Sequence, residues 1–318
     1  MLVLNYIYYI FTLTFKFGRI LMRKNHLFCF GLGYSSLNLA RKLLAKGWRV
    51  SGTCRNEEKA TELEAEGIKA YVFNEDIPLS DTSIFQDVTH ILDSIPPLET
   101  GVPLSLKHHE EDLKNMFGLD SSLRWNDSRI KWVGYFSTTG VYGDHNGGWV
   151  NESTLVCPVE ERSRLRVVSE NAWLNSGLPV HIFRLAGIYG PGRNSLLRVK
   201  SGDAQIIEKK DHVFCRIHVD DIAQIVQASI SNPQPGEIYN CADDLPAAQS
   251  EVISYCYELL GRTKPETISF EKAKLSPMSR SFYSSCRRVE NNKIKNELGV
   301  KLKYPDYISG LRIEFKRL

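Results

Sequence analysis

From residue 26 to Gly190, short apolar runs alternate with stretches of helical periodicity. The apolar runs are predicted strands, and the periodic stretches between them are predicted helices. Strands are predicted at 26–30, 48–54, 69–73, 90–95, 130–137 and 180–185, and helices at 37–46, 57–66, 105–117 and 159–176. Because such strands are joined through right-handed helical crossovers, the pattern predicts an α/β fold with a doubly wound parallel sheet.

The alternation loosens after Gly190, where prolines separate shorter predicted helices. These prolines are Pro233, Pro235, Pro246, Pro265 and Pro277. The change of pattern indicates a smaller lobe over the carboxyl edge of the sheet.

Composition restricts the class of protein. The 318 residues are 42% hydrophobic and 24% charged, which is typical of a soluble globular enzyme. The net charge of +3, without a long block of Lys and Arg, argues against nucleic acid as a partner. The seven cysteines are scattered and form no C-x-x-C pair, so they indicate reduced, mostly buried thiols in a cytoplasmic protein, with no metal site.

Residues 1–24 differ from the rest of the chain. Residues 1–15 are apolar and aromatic and positive charges follow them, whereas a signal peptide carries its charges first. A membrane-spanning helix needs ~20 apolar residues, which is more than this run offers. We expect an over-extended start or a disordered extension here, and a membrane anchor is the less favoured alternative.

The segment Gly31-Leu32-Gly33-Tyr34-Ser35-Ser36 follows the first predicted strand and opens a helix. In that context the first glycine allows a tight turn, and the second lets the backbone approach a pyrophosphate. The third position requires only a small residue, which Ser36 provides. The segment predicts a dinucleotide at the helix N-terminus, where unpaired N–H groups face the phosphates. The alternative is a glycine-rich turn without a nucleotide.

The end of the second predicted strand bears on the choice of dinucleotide. An acidic residue there would bind the ribose 2′-hydroxyl of NAD, but the chain reads Gly52-Thr53-Cys54-Arg55-Asn56. Arg55 offers a fixed charge and several donors to a 2′-phosphate, so NADP is favoured over NAD. A solvated arginine beyond a strand end is the alternative interpretation.

Three further segments extend this pattern, namely residues 137–143 (S-T-T-G-V-Y-G), 184–192 (R-L-A-G-I-Y-G-P-G) and 216–221 (R-I-H-V-D-D). Together with residues 31–36 they resemble the extended short-chain dehydrogenase/reductase superfamily, in its nucleotide-sugar epimerase/dehydratase branch. The resemblance covers most of residues 22–318. It implies a Rossmann-like sheet with a smaller, discontinuous C-terminal substrate lobe, and a homodimer is common in the family.

The resemblance also implies domain bounds and cofactor contacts. The dinucleotide domain would comprise residues 25–188 and 216–242, and the lobe residues 189–215 and 243–318. The implied cofactor residues are Gly31, Gly33, Tyr34, Ser35, Ser36, Arg55, Ser94, Ile95, Pro96, Arg166, Leu185, Ala186 and Ile188. Asn74 stands where the family has an acid near the adenine.

The family's catalytic Tyr-x-x-x-Lys pair is replaced here. Counting back from Glu170, the two positions hold Arg162 and Arg166. A guanidinium group has a pKa of ~12.5 or more, so neither arginine can act as a general base. Arg166 could keep the charge of the lysine, and Arg162 could hold an anionic substrate group. The alternative is that both are surface arginines paired with neighbouring glutamates.

The resemblance places a substrate-binding hydroxyl at Thr138, with Ser137 adjacent. Another residue must then transfer the proton, and Tyr142 is the first candidate because its motif lies at the substrate face. Asp144, His145, Glu161 and Tyr189 are the next candidates.

The lobe shows one more departure from the family. The usual diphosphate-binding arginine position is Phe214, and an arginine stands instead at Arg216. His218 is expected to be structural, and Asp220 and Asp221 are expected to cap the following helix.

The sequence thus favours an NADP-binding oxidoreductase or epimerase/dehydratase-like enzyme acting on a small polar substrate. Whether that substrate is anionic or nucleotide-linked stays open. The competing interpretation is a catalytically inactive NADP-binding sensor or interaction protein.

Overall fold

The computed structural model describes residues 25–118 and 129–318, so the predicted extension at 1–24 lies outside the described residues. A seven-stranded sheet forms the centre of the molecule. Its strands are β1 (His26–Phe30), β2 (Arg49–Cys54), β3 (Lys69–Val72), β4 (His90–Asp93), β5 (Trp132–Thr138), β7 (Val180–Leu185) and β11 (Ile238–Cys241). Their order across the sheet is β11-β7-β5-β4-β1-β2-β3. All neighbouring strands are parallel. The predicted α/β, Rossmann-like doubly wound sheet is confirmed.

Helices pack on both faces of the sheet and also build the C-terminal part of the molecule. They are α1 (Tyr34–Ala45), α2 (Glu57–Ala65), α3 (Leu104–Phe117), α4 (Glu161–Leu174), α5 (Ser195–Ser201), α6 (Val219–Ser231), α7 (Gln249–Leu259), α8 (Pro277–Ser281), α9 (Asn292–Asn296) and α10 (Tyr307–Lys316). The first helix begins three residues before its predicted start, because Gly33 in an extended conformation serves as the N-cap.

Side chains alternate between two core clusters on the faces of the sheet. In β1, Leu27 and Cys29 belong to one cluster, and Phe28 and Phe30 belong to the other. Every residue of this strand is buried, as expected for a central parallel strand covered by helices on both faces. Such burial makes the end of β1 a rigid support for the loop that follows.

A separate core lies in the C-terminal part of the chain. Helices α5, α7 and α10 enclose it with side chains that include Leu196, Ile253 and Leu311. Short parallel pairs accompany it: β8 (Gly187–Tyr189) with β10 (Arg216–His218), β9 (Ile207–Glu208) with β12 (Ile268–Ser269), and β6 (Trp149–Val150) with β13 (Arg288–Val289). We call this part of the molecule the lobe. Strand β11 returns to the main sheet, while the exact domain bounds stay a prediction.

Across residues 25–118 and 129–318, no helix is long and apolar enough to cross a membrane.

Candidate dinucleotide and substrate cavity

The glycine-rich loop lies at the switch point of the sheet. Strand β1 has β2 on one side and β4 on the other, and the connections leave in opposite directions. A crevice forms at the carboxyl ends of strands where the order reverses in this way. Gly31 begins the loop with φ +83°, and a Cβ added there would lie 2.9 Å from Cγ1 of Ile95. Only glycine fits this position without displacing Ile95, which lies just after β4.

Three hydroxyl groups hold this loop in place. The Gly31 N–H donates to Thr53 Oγ1 at 2.8 Å, and Ser94 Oγ donates to the Gly31 carbonyl at 2.5 Å. Ser36 Oγ lies 2.6 Å from the same carbonyl and accepts from the Gly33 N–H at 2.9 Å. Ser36, which is fully buried, therefore does more than replace a small third glycine, because its hydroxyl caps the loop.

A cavity of about 1020 Å³ extends from this loop to the lobe. Twelve of the predicted site residues line it: Gly33, Tyr34, Ser35, Ser36, Ser94, Ser137, Thr138, Arg162, Arg166, Leu185, Ala186 and Ile188. The other five predicted residues, Gly31, Arg55, Ile95, Pro96 and Tyr142, are outside this lining. The structure therefore brings the glycine-rich loop and the two substituted positions of α4 into one cavity.

Tyr34 connects the loop to the lobe. Its hydroxyl donates to the Pro191 carbonyl at 3.0 Å, and the Arg193 guanidinium lies 5.5 Å from its ring centroid. Burial raises the pKa of Tyr34 to about 12. A phenol with that pKa and a bound carbonyl acts as a tether between the two parts rather than as an acid.

The adenine end carries the predicted NADP determinant. Arg55 is exposed at the end of β2, just before Asn56, which caps α2 through the Lys59 N–H. Asn74 Oδ1 accepts from the N–H groups of Asp76 and Ile77, so this side chain stabilises its own turn. The role of Arg55 toward a 2′-phosphate stays a prediction.

Arg166 lies half-buried at the cavity wall. Its Nη1 donates to the Tyr135 hydroxyl at 2.9 Å and to the Phe136 carbonyl at 2.6 Å. Within the described chain it forms no ion pair with a glutamate, so the surface-pair alternative is wrong for Arg166. Behind it lies Asp93, whose pKa is raised to about 6 by burial while the Arg166 charge opposes that rise.

Arg162 reaches across to the lobe instead of pairing with a glutamate. Its guanidinium stacks on the Phe282 ring at 4.3 Å, and Nη2 donates to Ser281 Oγ at 3.1 Å. Glu161 pairs with Arg164 at 2.8 Å. At the position of the family tyrosine, Arg162 therefore connects α4 to the C-terminal end of α8.

Ser137 belongs to a buried structural network. Its hydroxyl donates to Glu170 Oε1 at 2.5 Å, and Arg184 binds both Glu170 oxygens, at 3.1 and 2.7 Å. Thr138 Oγ1 accepts from the Gly140 N–H at 3.0 Å. Because a hydroxyl that accepts one bond keeps its own proton, Thr138 can still donate toward the cavity.

The structure does not support the placement that made Tyr142 the first proton-transfer candidate. Tyr142 is fully buried, its hydroxyl donates to Asn240 Oδ1 at 2.7 Å, and Arg184 covers its ring at 4.8 Å. Burial raises its pKa. The short turn 139–142 directs this side chain into the core, away from the cavity.

The remaining proton-transfer candidates are also engaged elsewhere. Asp144 accepts from the Cys286 N–H at 2.7 Å, and His145 contacts the Tyr142 carbonyl. Tyr189 does line the cavity, but its hydroxyl donates to the Asp306 carbonyl at 3.3 Å. Burial and nearby carboxylates raise the pKa of Tyr189 well above its ordinary value. None of these groups is placed as a ready acid.

His218 has the structural role expected of it, whereas the two following aspartates do not. His218 itself is the N-cap of α6, accepting from the Asp220 N–H at 3.1 Å. Asp221 instead accepts from the N–H groups of Lys303 and Tyr304, and Asp220 pairs with Lys42 at 2.8 Å. The predicted capping by these aspartates is wrong, because a buried backbone turn from the C-terminal segment takes Asp221.

Sequence reasoning missed half of the arginines that line the cavity, namely Arg193, Arg198 and Arg287. Six arginines line the cavity, together with one carboxylate, that of Glu160: Arg162, Arg166, Arg193, Arg198, Arg216 and Arg287. None of the six forms an ion pair within the described ranges. Glu160 accepts a hydrogen bond from Ser284 at 2.7 Å. Arg193 follows the segment 184–192 directly and could have been noticed, but Arg198 and Arg287 are distant in sequence.

Comparisons with known proteins agree with this geometry. No family model matches the chain. Protein YeeZ of Escherichia coli K12 is 27% identical over 285 residues, covering 87% of this chain and 95% of its own. The solved structure of a functionally unknown conserved protein from Silicibacter pomeroyi DSS is 41% identical, with a TM-score of 0.84, covering 92% of this chain and 99% of its own. The dTDP-glucose 4,6-dehydratase of Bacillus anthracis, solved with NAD, is 18% identical with a TM-score of 0.70, covering 92% and 96%.

The likeness to epimerase and dehydratase structures shows the class of fold, which is a Rossmann-like α/β fold with a parallel central sheet. Within that class, the chain belongs to the same family as the Silicibacter protein.

Proposed function

We propose that this protein is a nicotinamide-dinucleotide-dependent oxidoreductase or epimerase/dehydratase-like enzyme that acts on a small anionic substrate. The observation that carries the proposal is one continuous cavity, which joins the glycine-rich loop and the α1 N-terminus to a lobe wall with several arginines that form no ion pair among the described residues. A dinucleotide would lie along Gly33, Ser35 and Ser94, and its nicotinamide end would reach toward Thr138 and Arg166. The bound cofactor would supply hydride transfer.

The chain's own residues would then orient the substrate. The Thr138 hydroxyl is free to donate to a substrate oxygen, and Arg166 presents a fixed charge supported by two hydrogen bonds. Since a guanidinium group stays protonated near neutral pH, Arg166 would bind and polarise the substrate rather than remove a proton. Thr138 would bind a substrate oxygen through its hydroxyl proton.

NADP is favoured over NAD because Arg55 is exposed at the end of β2, where an acid would select the free 2′-hydroxyl. The test is titration of the protein with NADPH and NADH. Arg55→Gln should weaken NADPH binding about tenfold and leave NADH binding unchanged. Lys59→Gln, on the adjoining helix, is the control. Tighter binding of NADH by the unmodified protein would contradict the NADP preference.

Turnover is tested with NADPH and a panel of carbonyl compounds and sugar nucleotides, following cofactor absorbance and analysing products by mass. Consumption of cofactor, or an isomerised product, supports the enzyme.

A catalytically inactive dinucleotide-binding sensor is the second candidate. It is favoured by the engagement of Ser137 and Tyr142 in buried networks and by the contact of Arg162 with the lobe. Tight cofactor binding without turnover or isomerised product across the panel would favour this candidate over the enzyme.

A further inference from the structure

A turn of the lobe lies against the glycine-rich loop at the dinucleotide end of the cavity. This turn, residues 190–193, lies between β8 and α5, and we call it the strap. It lines the cavity through Gly192 and Arg193. Two contacts join it to the loop: the Tyr34 hydroxyl donates to the Pro191 carbonyl at 3.0 Å, and the Arg193 guanidinium lies 5.5 Å from the centre of the Tyr34 ring.

The strap keeps its shape through its own hydrogen bonds. The N–H groups of Gly190 and Arg193 each donate to the carbonyl of the other residue, at 2.9 and 3.0 Å. Asn194 Nδ2 donates to the Gly190 carbonyl at 2.9 Å, and Asn194 Oδ1 accepts from the Leu197 N–H in the first turn of α5. Because the turn is bonded internally, it can approach or leave the loop without losing these bonds.

Gly190 allows the strap to lie close to the loop. Its φ of +151° is a conformation that other residues rarely adopt. A Cβ added there would lie 2.9 Å from Tyr34 Oη and 2.8 Å from Cγ1 of Val219. The bare backbone at Gly190 therefore makes room for the phenol against the strap.

The two attachments of this segment differ in burial. On one side, Asn194 Nδ2 also donates to Glu314 at 3.4 Å, and Glu314 is 2% exposed. The buried His218 accepts from the Asp220 N–H through Nδ1, so its Nε2 carries the proton and donates to Glu314 at 3.3 Å. On the other side, the hydrogen bond from Tyr34 is exposed. The buried side is suited to a fixed hinge, and the exposed bond is the one that can open.

The exposed bond lies where the sequence predicts the dinucleotide phosphates. Tyr34 is the first residue of α1, and Tyr34 and Ser35 both line the cavity. The N–H groups of a helix N-terminus have no partner within the helix and attract phosphate. Tyr34 belongs to the dinucleotide part and Pro191 to the lobe, so their hydrogen bond joins the two parts beside the predicted phosphate position.

We propose that the hydrogen bond from Tyr34 to Pro191 is a latch that controls how fast a nicotinamide dinucleotide enters and leaves the cavity. The inference rests on the proposed function, since it requires a dinucleotide at the α1 N-terminus. A latch joins two groups of the protein in the free and the bound state alike. Its loss should therefore raise the association rate and the dissociation rate together and leave the dissociation constant nearly unchanged. A hydroxyl that bound the dinucleotide directly would change the dissociation rate alone.

The experiment is stopped-flow fluorescence with NADPH and, in parallel, NADH. Mixing gives the association rate, and a chase with excess oxidised cofactor gives the dissociation rate. Tyr34→Phe keeps the ring beside Arg193 and removes only the donor, so both rates should rise about three- to tenfold. Tyr255→Phe is the matched control, because the Tyr255 hydroxyl accepts from Arg312 outside the cavity lining. Hydrogen exchange of residues 190–194 without added cofactor should also be faster in Tyr34→Phe and unchanged in the control.

Three outcomes would overturn the latch. Equal rates in Tyr34→Phe and the unmodified protein would exclude it, while cofactor binding itself would still support the proposed function. A rise in the dissociation rate alone would assign the Tyr34 hydroxyl to the dinucleotide instead of the strap. If neither NADPH nor NADH binds, the latch and the proposed function fail together.

Discussion

The two ends of the cavity satisfy their polar groups in opposite ways. At the glycine-rich loop, the hydroxyls of Thr53, Ser36 and Ser94 bind backbone groups of Gly31 or Gly33. At the lobe end, Arg198 and Arg216 present charges that no described carboxylate pairs. A loop with satisfied groups holds one shape before its ligand arrives, whereas unpaired cations await an anion. The hydrogen-bonded loop therefore contributes to the stability of the fold, whereas the arginines of the lobe end contribute affinity for an anion.

The largest expected effect concerns the buried network beside the cavity. Glu170→Ala would leave Arg184 as an uncompensated buried charge and is expected to reduce the free energy of unfolding by ~3–5 kcal/mol. Denaturant unfolding measures this loss. Glu161→Ala removes an exposed pair with Arg164 and should change stability by ~0.5 kcal/mol or less. Similar losses in both variants would show that the buried network of Glu170 and Arg184 contributes no more stability than an exposed ion pair.

Gly31→Val tests the loop itself. The φ of +83° disfavours any side chain, and the added Cβ would meet Ile95, so dinucleotide affinity should fall about 100-fold. Fluorescence titration with NADPH measures it. Gly47→Val is the matched control, because Gly47 has φ +80° but nothing within 4 Å of the added Cβ. If the two variants bound NADPH equally, the loop would not be the dinucleotide site.

These two regions also differ in how far the sequence predicts them. The loop is one contiguous segment after a strand, and its short-range geometry follows from Gly31, Gly33 and Ser36. Element type was therefore predicted well, with bounds shifted by a few residues. The strand predicted to include Ile95 ends at Asp93, whose carboxylate accepts from the Ile95 N–H and turns the chain.

The lobe end could not be predicted in the same way. Arg198 and Arg287 are 89 positions apart and meet only through packing of the lobe, which no local pattern encodes. The side-chain position predicted for Tyr142 differs from the structure for a related reason. Its motif lies at the cavity, yet the turn 139–142 directs the side chain toward Asn240, a contact between residues 98 positions apart. Motif position predicts where a backbone segment lies, but packing decides where its side chain points.

His181 lies on β7 of the central sheet, where both of its ring nitrogens have a hydrogen-bond partner. Its Nδ1 lies 3.1 Å from the Val133 carbonyl and its Nε2 accepts from the Gln234 N–H at 2.8 Å, an arrangement that requires the neutral ring. Burial lowers the pKa of His181 from 6.5 to about 4. The unfolded chain therefore takes up a proton first, so the stabilising contribution is complete above pH 6.5 and is lost as pH falls toward 4.

His181→Gln can replace both hydrogen bonds without titrating. Between pH 7 and pH 5, the variant should lose about 2 kcal/mol less free energy of unfolding than the unmodified protein. Urea unfolding at the two pH values measures the difference. Parallel pH dependence in the two proteins would show that His181 is already protonated in the fold or exposed to solvent.

Arg166 lies at the boundary between the two ends and gives the smallest expected effect. It shares the unpaired charge of the lobe arginines, but like the loop it is held by hydrogen bonds, to Tyr135 and Phe136. Arg166→Gln should weaken NADPH binding about tenfold, and Arg166→Lys should retain most of the affinity if charge is what the cofactor requires. Arg164→Gln on the exposed face of α4 is the control. Equal losses in the Gln and Lys variants would mean that the guanidinium fork, which orders the end of β5, matters more than its charge. Arg166 would then belong with the preorganised loop rather than with the arginines that await an anion.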